Sequence, residues 1–366
     1  MKESLALLPG VFSVMALSNA IVPVLPSFAP GTALQGAVFS AYFLGAFLFV
    51  LPSGYLADRV GAVPLVRAGL SLTLLSGIVL SAAGSPLLVL AGRLAEGIGA
   101  GLFVPAALAR LNARPDHERM SGYFMGLLNL GLLSGLLVTG WLVSAGGGPR
   151  EGIVLFTWVS LLPLALSLGM GEGKGSPGNG GEPAGETRER LAWALRTYFW
   201  LWFSAVVLVG ITGALTALHP EHSGLSAGPV SAQIALMNIA TVASVLVTSH
   251  ASLPPVPTIR AASIAMAGGV ALTFFSMWGF LVIGWLAGMV MIAQLSFLAA
   301  AGRRQGVLMG LFNTASYGGM SAVPFLAGIT AELAGFPAAY FLTALSALTV
   351  AATIGRCECR RPAVPA

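Results

Sequence analysis

Charge is what this sequence has least of. Of its 366 residues, 8% are Asp, Glu, Lys or Arg, and only 13 are acidic. A soluble chain of this length could not cover its surface with so few charges. Cysteine is scarcer still: Cys357 and Cys359 stand two apart beside Arg356, Arg360 and Arg361. That spacing is poor for a disulfide, and two thiolates are too few for a closed zinc site. Histidine numbers four. His219 and His222, with Glu221 between them, are the one place where a metal could sit, and no metal or other cofactor is expected. Paired catalytic carboxylates and Ser–His pairings are missing from the apolar runs, which argues against an enzyme. The short alternating segments of a transmembrane barrel are missing too.

What fills the sequence is hydrocarbon: 56% of residues are hydrophobic and the mean hydropathy is +0.87. A helix that crosses a bilayer needs about 20 apolar residues, and runs of that length recur. Bounded by charge, Pro and Gly, the first eight span about 5–28, 33–57, 65–84, 86–109, 120–145, 152–170, 197–218 and 229–248. The first is interrupted by Pro9 and Gly10 but continues to Phe28, so it reads as a full span and not as a cleavable leader. From Ala261 to Gly302 no residue is charged. One helix of that length would reach about 63 Å, so the stretch is expected to fold back near Trp278–Gly284 as two spans. A last pair covers about 306–331 and 336–355. The reading is an all-α polytopic membrane protein with twelve spans.

One polar stretch divides the spans into two sets of six. Residues 171–196 are rich in Gly, Pro and charge, too polar to order themselves by burial, and are expected to be a cytoplasmic linker, helical near Arg196. The expected units are a bundle over 1–170, a second over 197–355 and a tail at 356–366. Threaded with the N-terminus inside, all of the 18 Lys and Arg except Arg93 and Arg150 fall in cytoplasmic segments. This is the positive-inside pattern of a plasma-membrane protein with both termini cytoplasmic. It also accounts for the basic balance without nucleic acid. A repeat is legible as well: Arg119, Gly122, Gly126, Asn129 and Gly135 recur as Arg303, Gly306, Gly310, Asn313 and Gly319, each 184 positions on (119 to 303). The match falls on the fifth and eleventh spans and implies two homologous halves.

Three motifs point to a family. Between the second and third spans stands Gly54-Tyr55-Leu56-Ala57-Asp58-Arg59-Val60-Gly61, expected to be a tight cytoplasmic turn. It resembles the loop signature of the major facilitator superfamily, with Ala62 and Val63 in place of the usual basic pair and Arg67 as the nearest cation. The resemblance implies a cytoplasmic gate in which Asp58, with Gly54, Arg59 and Gly61, closes against the start of the eleventh span near Gly306. The fourth span holds Arg93-Leu94-Ala95-Glu96-Gly97-Ile98-Gly99. Charges at membrane depth are costly and face protein or water, and Arg93 and Glu96, three apart, share a helix face. This run resembles the family's Arg-x-x-Gln-Gly-x-Gly signature, linked there to proton coupling, with Glu96 where Gln is usual. Gly122, Gly131, Gly135 and Gly140 on the fifth span permit close helix approach. Their spacing resembles the family's antiporter signature, with Leu136 and Thr139 replacing its Pro and one Gly. The nearest pattern is that of drug/proton antiporters.

The remaining intramembrane polar groups are amides. Asn19, Asn129, Asn238, Gln294 and Asn313 are cavity candidates, with Gln233 a further amide. Phe39, Tyr42, Phe43, Phe47, Phe124, Trp141, Trp202 and Tyr317 are candidate lining. So few polar groups suit a small amphipathic organic substrate. The expectation is a monomeric secondary transporter in the lipid bilayer, exporting that substrate in exchange for protons. An importer or uniporter in the same fold, and a receptor or scaffold that moves nothing, stay open as alternatives.

Overall fold

The computed structural model describes residues 4–171, 192–251, 253–300 and 305–356; the side chains of Gly54, Tyr55, Asp58, Glu118 and residues 305–307 are outside the description. Most of the expected linker and the Cys357–Cys359 pair thus lie outside the described residues, although 192–197, at the Arg196 end, are helical. Every described element is a helix. The long ones are α1 (Ser4–Ala20), α2 (Thr32–Val60), α3 (Ala62–Ala82), α4 (Pro86–Asn112), α5 (His117–Ser144) and α6 (Glu151–Leu168), then α7 (Phe199–Ser223), α8 (Ala227–Thr248), α9 (Pro255–Phe275) and α10 (Trp278–Ala300). The last segment, Gln305–Thr353, is broken at Gly335 (φ 83°, ψ 165°) into α11 (305–334) and α12 (336–353). Eleven described helices are long and apolar enough to cross a membrane; dividing the last of them at Gly335 makes twelve.

Local chemistry sets the ends. α1 stops at Ala20 and continues as the short turns Val22–Val24 and Leu25–Phe28, because Pro23 and Pro26 have no N–H to donate. Ser85 caps α4, its Oγ accepting from Leu88 N at 3.4 Å, with Pro86 in the first turn. Two expected turns fall elsewhere. α2 runs on through Gly54 and Asp58 to Val60, and Gly61 alone makes the corner at φ 85°, where a side chain would be strained. The fold-back of the uncharged stretch comes before Trp278, at Ser276 and Met277. Ser276 is extended (φ −151°, ψ 140°) and its Oγ accepts from Trp278 N at 3.4 Å. Gly284, expected at the turn, instead lies inside α10, where an added Cβ would overlap the Met237 carbonyl of α8.

The helices form two six-helix bundles with one internal plan. In the first, α1 lies against α5 and α6, α2 against α4, and α3 against α4 and α6. In the second, α7 lies against α11, α8 against α10, and α9 against α10 and α12. The sequence repeat has a physical counterpart here. A Cβ on Gly135 would overlap the carbonyl of Ala16 on α1, and a Cβ on Gly319 would overlap the carbonyl of Val206 on α7. The bundles meet where α2 touches α11 and α5 touches α8. Twelve crossings bring residues 4 and 356 to one face, here the terminal face; the loops after α1, α3, α5, α7, α9 and α11 lie at the opposite, distal face.

Candidate functional site

Between the bundles lies a cavity of about 410 Å³, in the size range of small-molecule sites. Phe39, Tyr42, Phe43 and Arg93 line it from α2 and α4, Leu128 and Leu132 from α5, and Met237, Asn238 and Thr241 from α8. Gln294 of α10 and Asn313, Tyr317 and Met320 of α11 complete the opposite wall. Most of this lining is apolar. Four of the five amides proposed from sequence are in it. Asn19 donates Nδ2 to Leu132 O at 3.1 Å, tying α1 to α5. Gln294 donates Nε2 to Ser204 Oγ at 2.9 Å, and its Oε1 is buried without a partner. Asn238 and Asn313 line the opening itself. Asn129 does not: its Nδ2 bonds Met125 O of its own helix at 2.9 Å. The 184-residue repeat therefore relates Asn129 and Asn313 in sequence but not in surroundings.

At the edge of the cavity Arg93 and Glu96 form a fully buried ion pair, Nη1 to Oε2 at 2.6 Å. The guanidinium also donates Nη1 to Ser18 O at 3.0 Å and Nε to Val38 O at 3.5 Å, and lies 4.8 Å from the centre of the Tyr42 ring. It thus gathers α1, α2 and α4 around one cation. Glu96 Oε1 has no partner. The glycines after the pair explain how it is pressed so deep. A Cβ on Gly97 would overlap the Tyr42 carbonyl, one on Gly101 would come within 3.0 Å of the Ala46 carbonyl, and one on Gly99 within 2.8 Å of the Gly69 carbonyl. α4 is wedged between α2 and α3, and its first charged turn meets backbone carbonyls in place of water.

Other residues singled out by sequence fare differently. Gly131 lies against Phe12 O, Gly135 against Ala16 O, and Gly140 against Ser231 and Ala227 O, so three of the four glycines of α5 are packing positions. Gly122 is not one, since nothing approaches within 4 Å of a Cβ there. α2 carries Gly54 and Asp58 and α11 begins at residue 305, but the Asp58 side chain and the surroundings of Gly54 and Gly306 lie outside the description, so the gate they were expected to form is not described; Arg59 is exposed. Arg67, the cation left after the motif's missing basic pair, donates to Ser167 O, Leu168 O and Met170 O at 3.1, 3.2 and 2.8 Å. It ties the end of α6 to α3, where a cation suits the helix C-terminus. His219 bonds Gln233 Oε1 at 2.6 Å, whereas His222 stacks on Phe274 and leans on Phe336 and Tyr340. Phe47, Phe124, Trp141 and Trp202 are not lining residues; Phe124 stacks on Phe103 in the first bundle. Thr212 and Thr216 of α7 are lining residues the sequence reading passed over. Their signal was a polar pair four apart in an apolar run, which shares a helix face.

The seam itself is uneven. At the distal face α5 and α8 touch through Gly140 and Ser231 and through Gly228 and Ser144. Gly122 lies five turns before Gly140, on the same face of α5, and no atom lies within 4 Å of a Cβ built there. α5 and α8 thus close on each other at the distal end, whereas toward the terminal end it is α2 and α11 that touch, Gly310 against Leu51 and Gly318 against Phe47.

A family model of the Major Facilitator Superfamily matches residues 7–324. The quinolone resistance protein NorB of Staphylococcus aureus (strain JH9) is 28% identical over 142 residues, 38% of this chain and 28% of NorB. The match thus spans well under a third of that relative's length. Among solved structures, the nucleoside transporter NupG is similar with a TM-score of 0.77 at 12% identity, over 98% of both chains. A bacterial homolog of the human lysosomal transporter Spinster, inward-facing and unoccupied, has a TM-score of 0.69 at 16% identity, over 97% of this chain and 94% of that one. At these identities the likeness is one of fold. Twelve spans in two repeated bundles around a central cavity, together with the family match over most of its length, show that the chain belongs to the major facilitator superfamily of transporters.

Proposed function

We propose that the protein is a proton-coupled secondary transporter that exports a small amphipathic organic molecule by alternating access. The observation that carries this reading is the buried Arg93–Glu96 pair at the edge of a mostly apolar cavity between the two bundles. An apolar cavity with a few amides favours a substrate with a hydrocarbon body and one or two hydrogen-bonding groups. Glu96 is the proton carrier in this scheme: protonated, it loosens its hold on Arg93 and on the three helices that Arg93 joins; ionised, it restores them. The positive-inside distribution supports a cytoplasmic terminal face, with the chain acting as a monomer in the plasma membrane. The short NorB match supports export.

The test is uptake of a fluorescent amphipathic probe into inverted vesicles driven by a pH gradient. Glu96→Gln should abolish the pH-driven component while the protein still folds; unchanged pH dependence in that variant would remove Glu96 from the mechanism. A second reading, facilitated import of a small metabolite, draws on the amides Asn19, Asn238 and Asn313 in the cavity. Accumulation in right-side-out vesicles that is insensitive to a proton ionophore would favour it.

A further inference from the structure

The two bundles bring different chemistry to the central cavity. In the first bundle the polar groups are already committed. Asn19 gives its Nδ2 to Leu132 O, Ser18 gives its hydroxyl to Met15 O at 2.9 Å, and Arg93 divides its donors among Glu96, Ser18 O and Val38 O. What this bundle offers a ligand is a run of rings on α2. Phe39 and Phe43 stand 5.2 Å apart, Tyr42 meets Phe43 edge-on at 5.0 Å, and Tyr317 of α11 extends the run at 6.3 Å from Phe43. The second bundle holds the uncommitted polarity. Asn238 of α8 and Asn313 of α11 line the cavity, and neither amide has a hydrogen bond among the described residues. Gln294 of α10 adds an acceptor from the same bundle. Ser204 spends its proton on Leu201 O at 2.7 Å, so its oxygen takes Gln294 Nε2 and leaves Oε1 buried without a partner.

We propose that the transported molecule is an uncharged planar aromatic whose ring lies against the α2 rings and whose polar edge is read by Asn238 and Asn313. That edge carries a hydrogen-bond donor beside an acceptor, as a carboxamide or a lactam does. The inference rests on the transport reading above and supplies its substrate class. An Asn side chain presents an N–H and a carbonyl side by side, the complement of such an edge. A ligand lacking either group would leave a desolvated amide atom unpaired, which costs more than the bond itself contributes. The ion pair disfavours a charged ligand. Arg93 is the one ionised lining side chain among the described residues, and Glu96 matches it at 2.6 Å. A ligand anion would find Arg93 neutralised, with Nη1 and Nε already bonded. A ligand cation would meet Arg93 lying over the Tyr42 ring, with no free carboxylate in the described wall. The aromatic faces remain, and the preference of rings for offset or edge-on contact at about 4.5–7 Å favours a flat ligand.

The test is binding to the purified protein in detergent, with no gradient and no transport step. Four probes share one ring system and differ in the polar edge. Naphthamide is uncharged with a donor and an acceptor, methyl naphthoate has acceptors only, naphthoate is an anion and naphthylmethylammonium is a cation. Naphthamide should raise the melting temperature and bind about ten-fold or more tightly than each of the others. This comparison needs no variant, so a misfolded variant cannot obscure it. Asn238→Ala and Asn313→Ala should each weaken naphthamide about three- to ten-fold and methyl naphthoate less, so that the preference collapses in the double variant. Phe43→Leu should weaken all four probes alike. Asn129→Leu, at the repeat counterpart of Asn313 but outside the cavity, should change nothing. Naphthamide preference without uptake into vesicles would uphold this site and overturn the export reading instead. Absence of naphthamide binding, equal or tighter binding of any other probe, or a preference that persists in the double variant would overturn the proposal.

Discussion

Arg93 and Glu96 illustrate how a single pair can be costly to keep and more costly to break. Taking both charges out of water is offset only because each satisfies the other and the guanidinium also bonds Ser18 O and Val38 O. Removing one partner leaves the other charge buried and alone. Arg93→Met should therefore cost about 3–5 kcal/mol, read as a large drop in melting temperature of the detergent-purified protein. Arg93→Met with Glu96→Met should recover most of that loss, since two apolar side chains replace two matched charges, yet show no pH-driven transport. A single variant as stable as the parent would show that the pair is not structural in the way its burial implies. Both residues were legible in the sequence because charge inside an apolar run is conspicuous. The unpartnered oxygens of Glu96 and Gln294 were not, since satisfaction depends on neighbours more than 50 residues away.

At the scale of the helix, the small residues decide how closely neighbours approach. Gly135 on α5 and Gly319 on α11 occupy matching positions in the repeat, and each lets a backbone carbonyl of the neighbouring helix into the space of its missing Cβ. Gly135→Ala and Gly319→Ala should each destabilise the protein by about 1–3 kcal/mol through overpacking, whereas Gly122→Ala should be silent. Thermal melts of the three variants in one detergent check this, and equal melts would refute the packing assignment. Hydropathy located the spans because a run of apolar residues has only one comfortable place in a bilayer. It placed their ends less well. The corner after α2 and the break before α10 were set by Gly61 and Ser276, one residue each. Glycine content alone could not separate Gly61, which turns the chain, from Gly284, which packs a helix.

For the molecule as a whole, the sequence repeat foretold two halves but not which helices would join them, because one apolar helix face looks much like another. The pairing of α2 with α11 and α5 with α8 emerges only in three dimensions, and it carries the functional argument, since these contacts must part and re-form if access alternates. The seam is seen with its distal α5–α8 contacts closed, the arrangement that such a cycle would have to leave. Fixing this state should stop transport without harming the fold. A Cβ on Gly228 would stand 3.4 Å from the Ser144 Cβ, close to the separation a disulfide spans. Ser144→Cys with Gly228→Cys, in a background where Cys357 and Cys359 are Ser, should therefore oxidise readily and join α5 to α8. Oxidised vesicles should lose nearly all probe transport and regain it on reduction, and each single cysteine variant should transport under both conditions. Full transport through the crosslinked protein would mean that the distal seam never opens, and alternating access about this cavity would have to be given up.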